Sequence, residues 1–174
     1  MRKKRLLQLT AALLCAVILS ACGGAPADAD YTCTVSISCA TILGNMDQCA
    51  ESKKELVPAD GVILPPTEVA FAEGESAFDV LQRVCRDNGI HLESKFTPVY
   101  NSAYIQGIHN IYEFDVGKLS GWMYAVNDWF PNYGCSLYQV QDGDVIRWVY
   151  TCDLGTDVGG GQAAGDGQQE GAST

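Results

Sequence analysis

Eight cysteines, six of them beyond the N-terminal apolar segment that holds Cys15 and ends at Cys22, two histidines and one dense aromatic stretch are the residues of this chain that could do chemistry. Cys33, Cys39, Cys49, Cys85, Cys135 and Cys152 could act as metal ligands, nucleophiles or disulfide partners. No Cys-x-x-Cys and no Cys/His pair stands at the spacing a zinc site needs. His109 with Glu113 could form an acid/base pair only if the intervening residues were helical, and their neighbourhood reads as strand. His91 opens an extended segment and has no partner constellation. Asp142 and Asp144 flank a glycine, where aspartate serves turn hydrogen bonding rather than catalysis. No phosphate loop, nucleophile elbow or zinc-protease motif is present. The residue pattern therefore points to a binding or interaction protein and not to an enzyme. The stretch "GWMYAVNDWFPNYG", residues 121–134, is where a ligand could be met.

The compartment follows from the beginning of the chain. Arg2, Lys3, Lys4 and Arg5 precede an apolar run from Leu6 to Leu19, too short for a comfortable membrane span, which reads as an export signal over residues 1–21. It closes on Leu19-Ser20-Ala21-Cys22, which resembles a bacterial lipobox. Cys22 is then the lipidated first residue of the mature protein, on the extracellular face of the cell membrane, and residues 22–31 form a flexible tether; an uncleaved signal anchor is the alternative. The leader carries four of the eleven basic residues and none of the twenty-one acidic ones, so the mature net charge is 7 − 21 = −14. Such a surface repels nucleic acid and anionic lipid, which leaves the N-terminal lipid as the expected contact with the membrane.

In an exported domain an even number of cysteines suggests a framework of three disulfides, with fifteen connectivities open; buried free thiols are the alternative. "TCTVSISCA" alternates strictly and predicts a strand with Cys33, Val35, Ile37 and Cys39 on its buried face. Residues 41–60 read as an irregular connection with a helical turn. Residues 62–64 and 68–71 read as short extended pieces parted by Pro65-Pro66, confined to an edge or bend. Ser76 and Asp79 predict a capping box that opens a helix from Ala77 to Asp87, closed by Asn88-Gly89. Its core face is Phe78, Leu81, Val84 and Cys85, with Gln82, Arg83, Arg86 and Asp87 outside.

Further strands are predicted over 91–96, 104–108, 122–127, 137–141 and 145–151, the last two as a hairpin about Asp142-Gly143. If Gln141 pairs with Asp144 there, Cys135 faces Tyr150 and Cys152 lies diagonally on the same face, which would allow that pair to bridge. Trp122 and Tyr124 share one strand face and are expected in the core. Trp129, Phe130 and Tyr133 fall in a loop marked by Pro131 and Gly134, where they either cover a core edge or contact a ligand. From Gly155 to Thr174 a Gly-rich acidic tail cannot bury enough surface to fold.

In order and spacing, "SAFDVLQRV", "GWMYAVND" and "YQVQDGDVIRWVY" resemble the transcobalamin-like C-terminal domain family, over residues 32–154. The resemblance implies an α+β, β-grasp-like soluble ligand-binding domain, with one main helix packed on a sheet and a C-terminal β-hairpin. The positions carried over are Gly121, Trp122, Tyr124, Asn127, Gly134, Tyr138, Asp142, Gly143, Asp144, Ile146, Trp148 and Tyr150. Most are expected to serve the fold, with Gly121 and Gly143 at special backbone angles. In the eukaryotic carriers an α/α barrel completes the cobalamin site, and this sequence carries none. Cobalamin or another corrinoid is thus an expected ligand only with a partner, such as a surface transporter or binding protein. No cofactor is required. A surface module that binds protein or glycan is the other reading.

Overall fold

The protein is described here by a computed structural model over residue 26 and residues 29–160. The expected leader, Cys15, the lipobox Cys22 and residues 161–174 lie outside the described residues. Among the described residues no helix is long and apolar enough to cross a membrane.

The alternating segment forms β1, Tyr31–Ser38, with Cys33, Val35 and Ile37 buried as expected. It is the hub of a four-stranded sheet. The prolines do not split the next segment: β2, Val62–Phe71, is one strand that pairs antiparallel with β1. The register slips between Val35 and Ile37, where Leu64 and Thr67 are the partners, so Pro65 and Pro66 occupy a bulge on the sheet edge where no ladder donor is needed. Two short 3-10 segments, Ala40–Gly44 and Glu51–Leu56, fill the connection between these strands.

The helix α1, Ala77–Asp87, has the expected bounds and capping box: Asp79 N–H donates to Ser76 Oγ at 3.2 Å, and Ser76 N–H to Asp79 Oδ2 at 2.9 Å. Its face is wider than expected. Ala77 and Val80 join Leu81, Val84 and Cys85 in the core, and Phe78 is only partly buried. Arg83, expected outside, is buried. It is ion-paired with Glu75, and its Nη2 donates to Ala70 O at 2.8 Å, tying α1 to β2. A buried cation needs such partners, and the pairing supplies them.

The strands β3, Leu92–Thr97, β4, Ser102–Ile108, and β5, Ile111–Tyr112, make a second antiparallel sheet. The chain then returns to the first sheet as β6, Gly121–Val126, and β7, Val145–Thr151. The sheet order is β2-β1-β7-β6, with β1 and β7 parallel at the centre. A hairpin, a helix and a last strand parallel to the first give the α+β, β-grasp-like arrangement that was expected. Val35, Ile37, Leu81, Ile146, Trp148 and Tyr150 lie in one core. Full burial of each such side chain contributes roughly 1.5–3 kcal/mol.

The C-terminal antiparallel pair exists, but between β6 and β7. Residues 137–141 form no strand beyond an isolated bridge from Gln139 to Ser76. The turn at Asp142-Gly143 is real: Asp144 N–H donates to Gln141 O at 3.1 Å, and Gly143 has φ +81°. It is tied to β1 instead, through Gly143 N–H to Thr32 O at 2.8 Å and Thr32 N–H to Asp142 Oδ1 at 3.0 Å.

The bridge proposed between Cys135 and Cys152 fails with that hairpin. Cys135 lies by the start of α1, where its carbonyl accepts from Phe78 N–H, and Cys152 lies beyond the far end of β7, its N–H on Asp157 Oδ2. Cys33, Cys39, Cys49, Cys85, Cys135 and Cys152 are all free thiols, and the expected framework of three disulfides is not formed. Burial pushes the thiols of Cys33, Cys85 and Cys135 up to about 12 and that of Cys39 to about 11. They act as small apolar core groups.

Order also extends past the expected end of the domain at Leu154. Asp157 accepts from Thr151 Oγ1 and from Cys152 N–H, a short 3-10 turn forms over Thr156–Val158, and Gly160 comes to rest against Phe130. Those contacts fix residues that composition alone assigns to a tail.

Candidate binding cleft

Two type I′-like residues, Asn127 and Asp128, with φ of +50° and +67°, turn the chain sharply out of β6. The connection that follows, before β7, is held at both ends. At one end the Asp144 carboxylate, 4 % exposed, accepts from Asn127 Nδ2 at 2.8 Å, Tyr138 Oη at 2.9 Å and Gln141 N–H at 2.9 Å. Asn127 Oδ1 in turn accepts from Val145 N–H at 2.9 Å. These contacts explain Asn127, Tyr138, Asp142, Gly143 and Asp144 as fold residues. Gly121 is not at a special backbone angle and has no tight neighbour. Gly134 is the sterically required one, since a Cβ there would overlap Ser102 Cβ and Oγ.

At the other end the segment is clipped to β4 and β6. Ala103 N–H donates to Ser136 Oγ at 2.9 Å, and Tyr124 Oη to Tyr133 O at 3.0 Å. Between the clipped segment, β4 and the inner face of β6 and β7 opens a cleft of about 460 Å³. Its walls include Tyr100, Tyr104, Trp122, Tyr124, Tyr133 and Trp148, with Asn132, Ser102, Thr97 and Cys135 among them. No Asp, Glu, Lys, Arg or His lines it. Trp148 stacks on Tyr124 with centroids 5.5 Å apart, and Trp122 meets Tyr150 edge-on at 5.3 Å. The rings expected in the core are therefore in the core, and Trp122, Tyr124 and Trp148 also form a wall of the cleft.

The three loop aromatics separate. Tyr133 lines the cleft and is 39 % exposed. Trp129 is 53 % exposed and rests edge-on against Tyr133 at 6.0 Å, outside the lining. Phe130 is 6 % exposed and packs with Ala125 and Val149 on the other face of the sheet, so it is a core lid and not a cleft residue. Tyr100 and Tyr104 were missed from sequence; the one available signal was a second group of rings, Phe96, Tyr100 and Tyr104, close together in the chain.

The other candidates for chemistry have structural employment. His109 and Asn110 take positive φ in the turn between β4 and β5, and Glu113 Oε2 accepts from Tyr104 Oη at 2.6 Å, so no acid/base pair forms. Burial and that contact hold the Tyr104 hydroxyl up at about 12. Among the described residues no group of three or more His, Cys, Asp or Glu side chains could hold a metal ion.

Residues 74–152 match the family described as Domain of unknown function (DUF4430). The span runs from just before α1 to the end of β7, and so takes in every segment that walls the cleft while leaving out β1 and β2. This description differs from that of the transcobalamin-like family that the motifs resemble. The fold is similar to that of haptocorrin in its crystal structure in complex with Cbi, with a TM-score of 0.50 and 14% identity. The match covers 71% of this chain and 26% of that one, so this chain spans about a quarter of the haptocorrin chain. The likeness supports a transcobalamin-like fold. A candidate metal-binding protein from Ruminococcus gnavus ATCC 29149 is more distantly similar, at a TM-score of 0.41 and 15% identity, over 70% of this chain and 97% of that one. No curated protein matches the sequence.

Proposed function

We propose that the protein is a lipid-anchored extracellular binding module, non-catalytic, that seats one face of a small ring-bearing ligand in the cleft. A corrinoid is a candidate, with a partner protein closing the open side. The observation that carries this reading is the cleft itself: about 460 Å³, walled by six aromatic rings and no charged group. That size and lining suit small-molecule recognition, and no side chain in the wall is of a type that ionises near neutrality as a general acid or base. The likeness to haptocorrin supports the fold on which such a site is built. Anchoring rests on the sequence around Cys22.

Titration of the purified chain with cobinamide, cobalamin and haem, followed by tryptophan fluorescence corrected for ligand absorbance, tests the reading. At least one should bind saturably, and Tyr133→Ala should weaken it by about 2 kcal/mol or more, as for an aromatic hot spot. Binding by none, alone or with native membrane added, would overturn it. Mass spectrometry of the mature N-terminus tests the anchor, which an unmodified N-terminus at another residue would remove.

A surface interaction module for protein or glycan is the second reading. It is favoured by Phe96, Val99, Tyr100 and Trp129, which are exposed beside or beyond the cleft rim. Pull-down of a surface protein or glycan that survives Tyr133→Ala but not Trp129→Ala would select it.

A further inference from the structure

We infer that the ligand of this cleft is a neutral, ring-bearing molecule with a hydrogen-bond acceptor that takes the indole N–H of Trp148. The inference deepens the binding reading above and rests on it. The three tryptophans of the chain differ in how their Nε1 is satisfied. Trp122 donates to Ile111 O at 2.8 Å, and Trp129 stands half in water. Trp148 is 2 % exposed, lines the cleft, and its Nε1 has no partner. Among the described residues it is the one buried side-chain nitrogen or oxygen left so.

The omission is local. The neighbouring hydroxyls in the same core are satisfied: Tyr124 Oη donates to Tyr133 O at 3.0 Å, and Tyr150 Oη lies 2.7 Å from Tyr112 O and 2.9 Å from Ser120 Oγ. Buried donors in native proteins have partners as a rule, and an isolated exception calls for a cause. Here the exception falls on a residue that, like Trp122 and Tyr124, is both core and cleft wall, and it alone of the three has an unmet donor.

Charge narrows the class further. A carboxylate or phosphate entering the cleft would lose water and meet no Lys, Arg or His. It would also approach a chain of net charge −10. A hydrocarbon ring would stack on the tyrosines but leave the Trp148 donor unmet. A neutral ring with a carbonyl or ether acceptor satisfies both requirements, and ligands built to meet a buried donor are selected strongly over analogues that lack the acceptor.

The test uses the full chain labelled with 15N-tryptophan, whose three indole signals are assigned with Trp129→Phe and by the slow exchange of the bonded Trp122. Three probes of similar size are titrated: acetophenone, ethylbenzene and benzoate. Acetophenone should move the Trp148 indole proton downfield and bind about tenfold tighter than benzoate, a difference of about 1.4 kcal/mol. Ethylbenzene should perturb cleft tyrosines without that downfield shift. In Trp148→Phe, if it folds by circular dichroism, the preference for acetophenone over ethylbenzene should vanish. Benzoate binding as well as acetophenone, or acetophenone perturbing the cleft while the Trp148 signal stays still, as it would with a fixed water on Nε1, would overturn the inference and leave the binding reading standing. No perturbation of the cleft by any probe would count against both.

Discussion

At Asp144 a buried carboxylate accepts three hydrogen bonds from Asn127, Tyr138 and Gln141, whereas at Tyr133, in the same connection, a half-exposed ring faces a cleft whose Trp148 donor has no partner. One end of the segment is closed and satisfied, and the other is open and unsatisfied. The Asp144 end fixes where β7 begins by bonding to β6 through Asn127, and its backbone to β1 through Thr34 N–H at 2.8 Å. With that end fixed, the Tyr133 end can expose rings without losing register. Residues that match a motif through the fold and residues available to a ligand thus lie close in sequence and differ in whether their polar atoms are already used.

Asp144→Ala should break the closed end most severely. It strands the donors of Asn127, Tyr138 and Gln141, and bonds to a charged acceptor are worth about 1.5–3 kcal/mol each before water re-enters. A loss of about 3 to 5 kcal/mol in chemical denaturation is expected. A loss under about 1 kcal/mol would mean that the latch is dispensable. Phe130→Ala should follow, at roughly 3 kcal/mol, the lower end for a buried phenylalanine because its cluster with Ala125 and Val149 is small. The same variant should leave ligand affinity unchanged, which separates the lid from the cleft.

The buried thiols give a pH signature. Cys85 is held near 12 by burial, above its ordinary value of 9.0, so between those values the unfolded chain has lost a proton that the folded chain keeps. The stability due to the neutral thiol is complete below about pH 9 and falls as pH rises toward 12, by roughly 1.4 kcal/mol per pH unit for one thiol. Cys85→Ala should lessen, by that one thiol's share, the decline above pH 9 expected of wild type in denaturant midpoints, while Cys33, Cys39 and Cys135 sustain the rest. Alkylation of the unfolded chain without reductant should label all six cysteines of the domain. Protected pairs would restore the disulfide framework that the sequence suggests.

How much of this was legible in sequence depends on how local each determinant is. The bounds of α1 are set by Ser76 and Asp79 three residues apart, and the face of β1 by strict alternation, so both could be read directly. The turn at Asp142-Gly143 was also local and correct. Its pairing was not, because Thr32 and Thr34, far away in the chain, take the bonds that a tight hairpin would have used. Arg83 was misplaced for the same reason: its partners Glu75 and Ala70 precede the helix. The cleft was the least legible feature. Tyr133 was found because it stands in an aromatic loop, but Tyr100, Tyr104 and Trp148 join it only when Ser136 and Gly134 dock on β4.

The smallest effect is expected at Trp129. Trp129 is 53 % exposed and touches Tyr133 edge-on, so Trp129→Ala removes little buried area and should lower stability by about 1 kcal/mol or less, the worth of one exposed aromatic pair. Its effect on binding then depends on Tyr133. If Trp129 only steadies that ring at the rim, the variant should weaken a cleft ligand by a few tenths to about 1 kcal/mol, less than Tyr133→Ala, and the double variant should lose no more than Tyr133→Ala alone. Additive losses would mean that Trp129 contacts the ligand itself from outside the cleft. A loss of stability near 3 kcal/mol would instead place Trp129 with Phe130 as core, and the open end would then be confined to Tyr133 and the hairpin tyrosines. Denaturation and titration of the two single variants and the double variant, in one buffer, separate these outcomes.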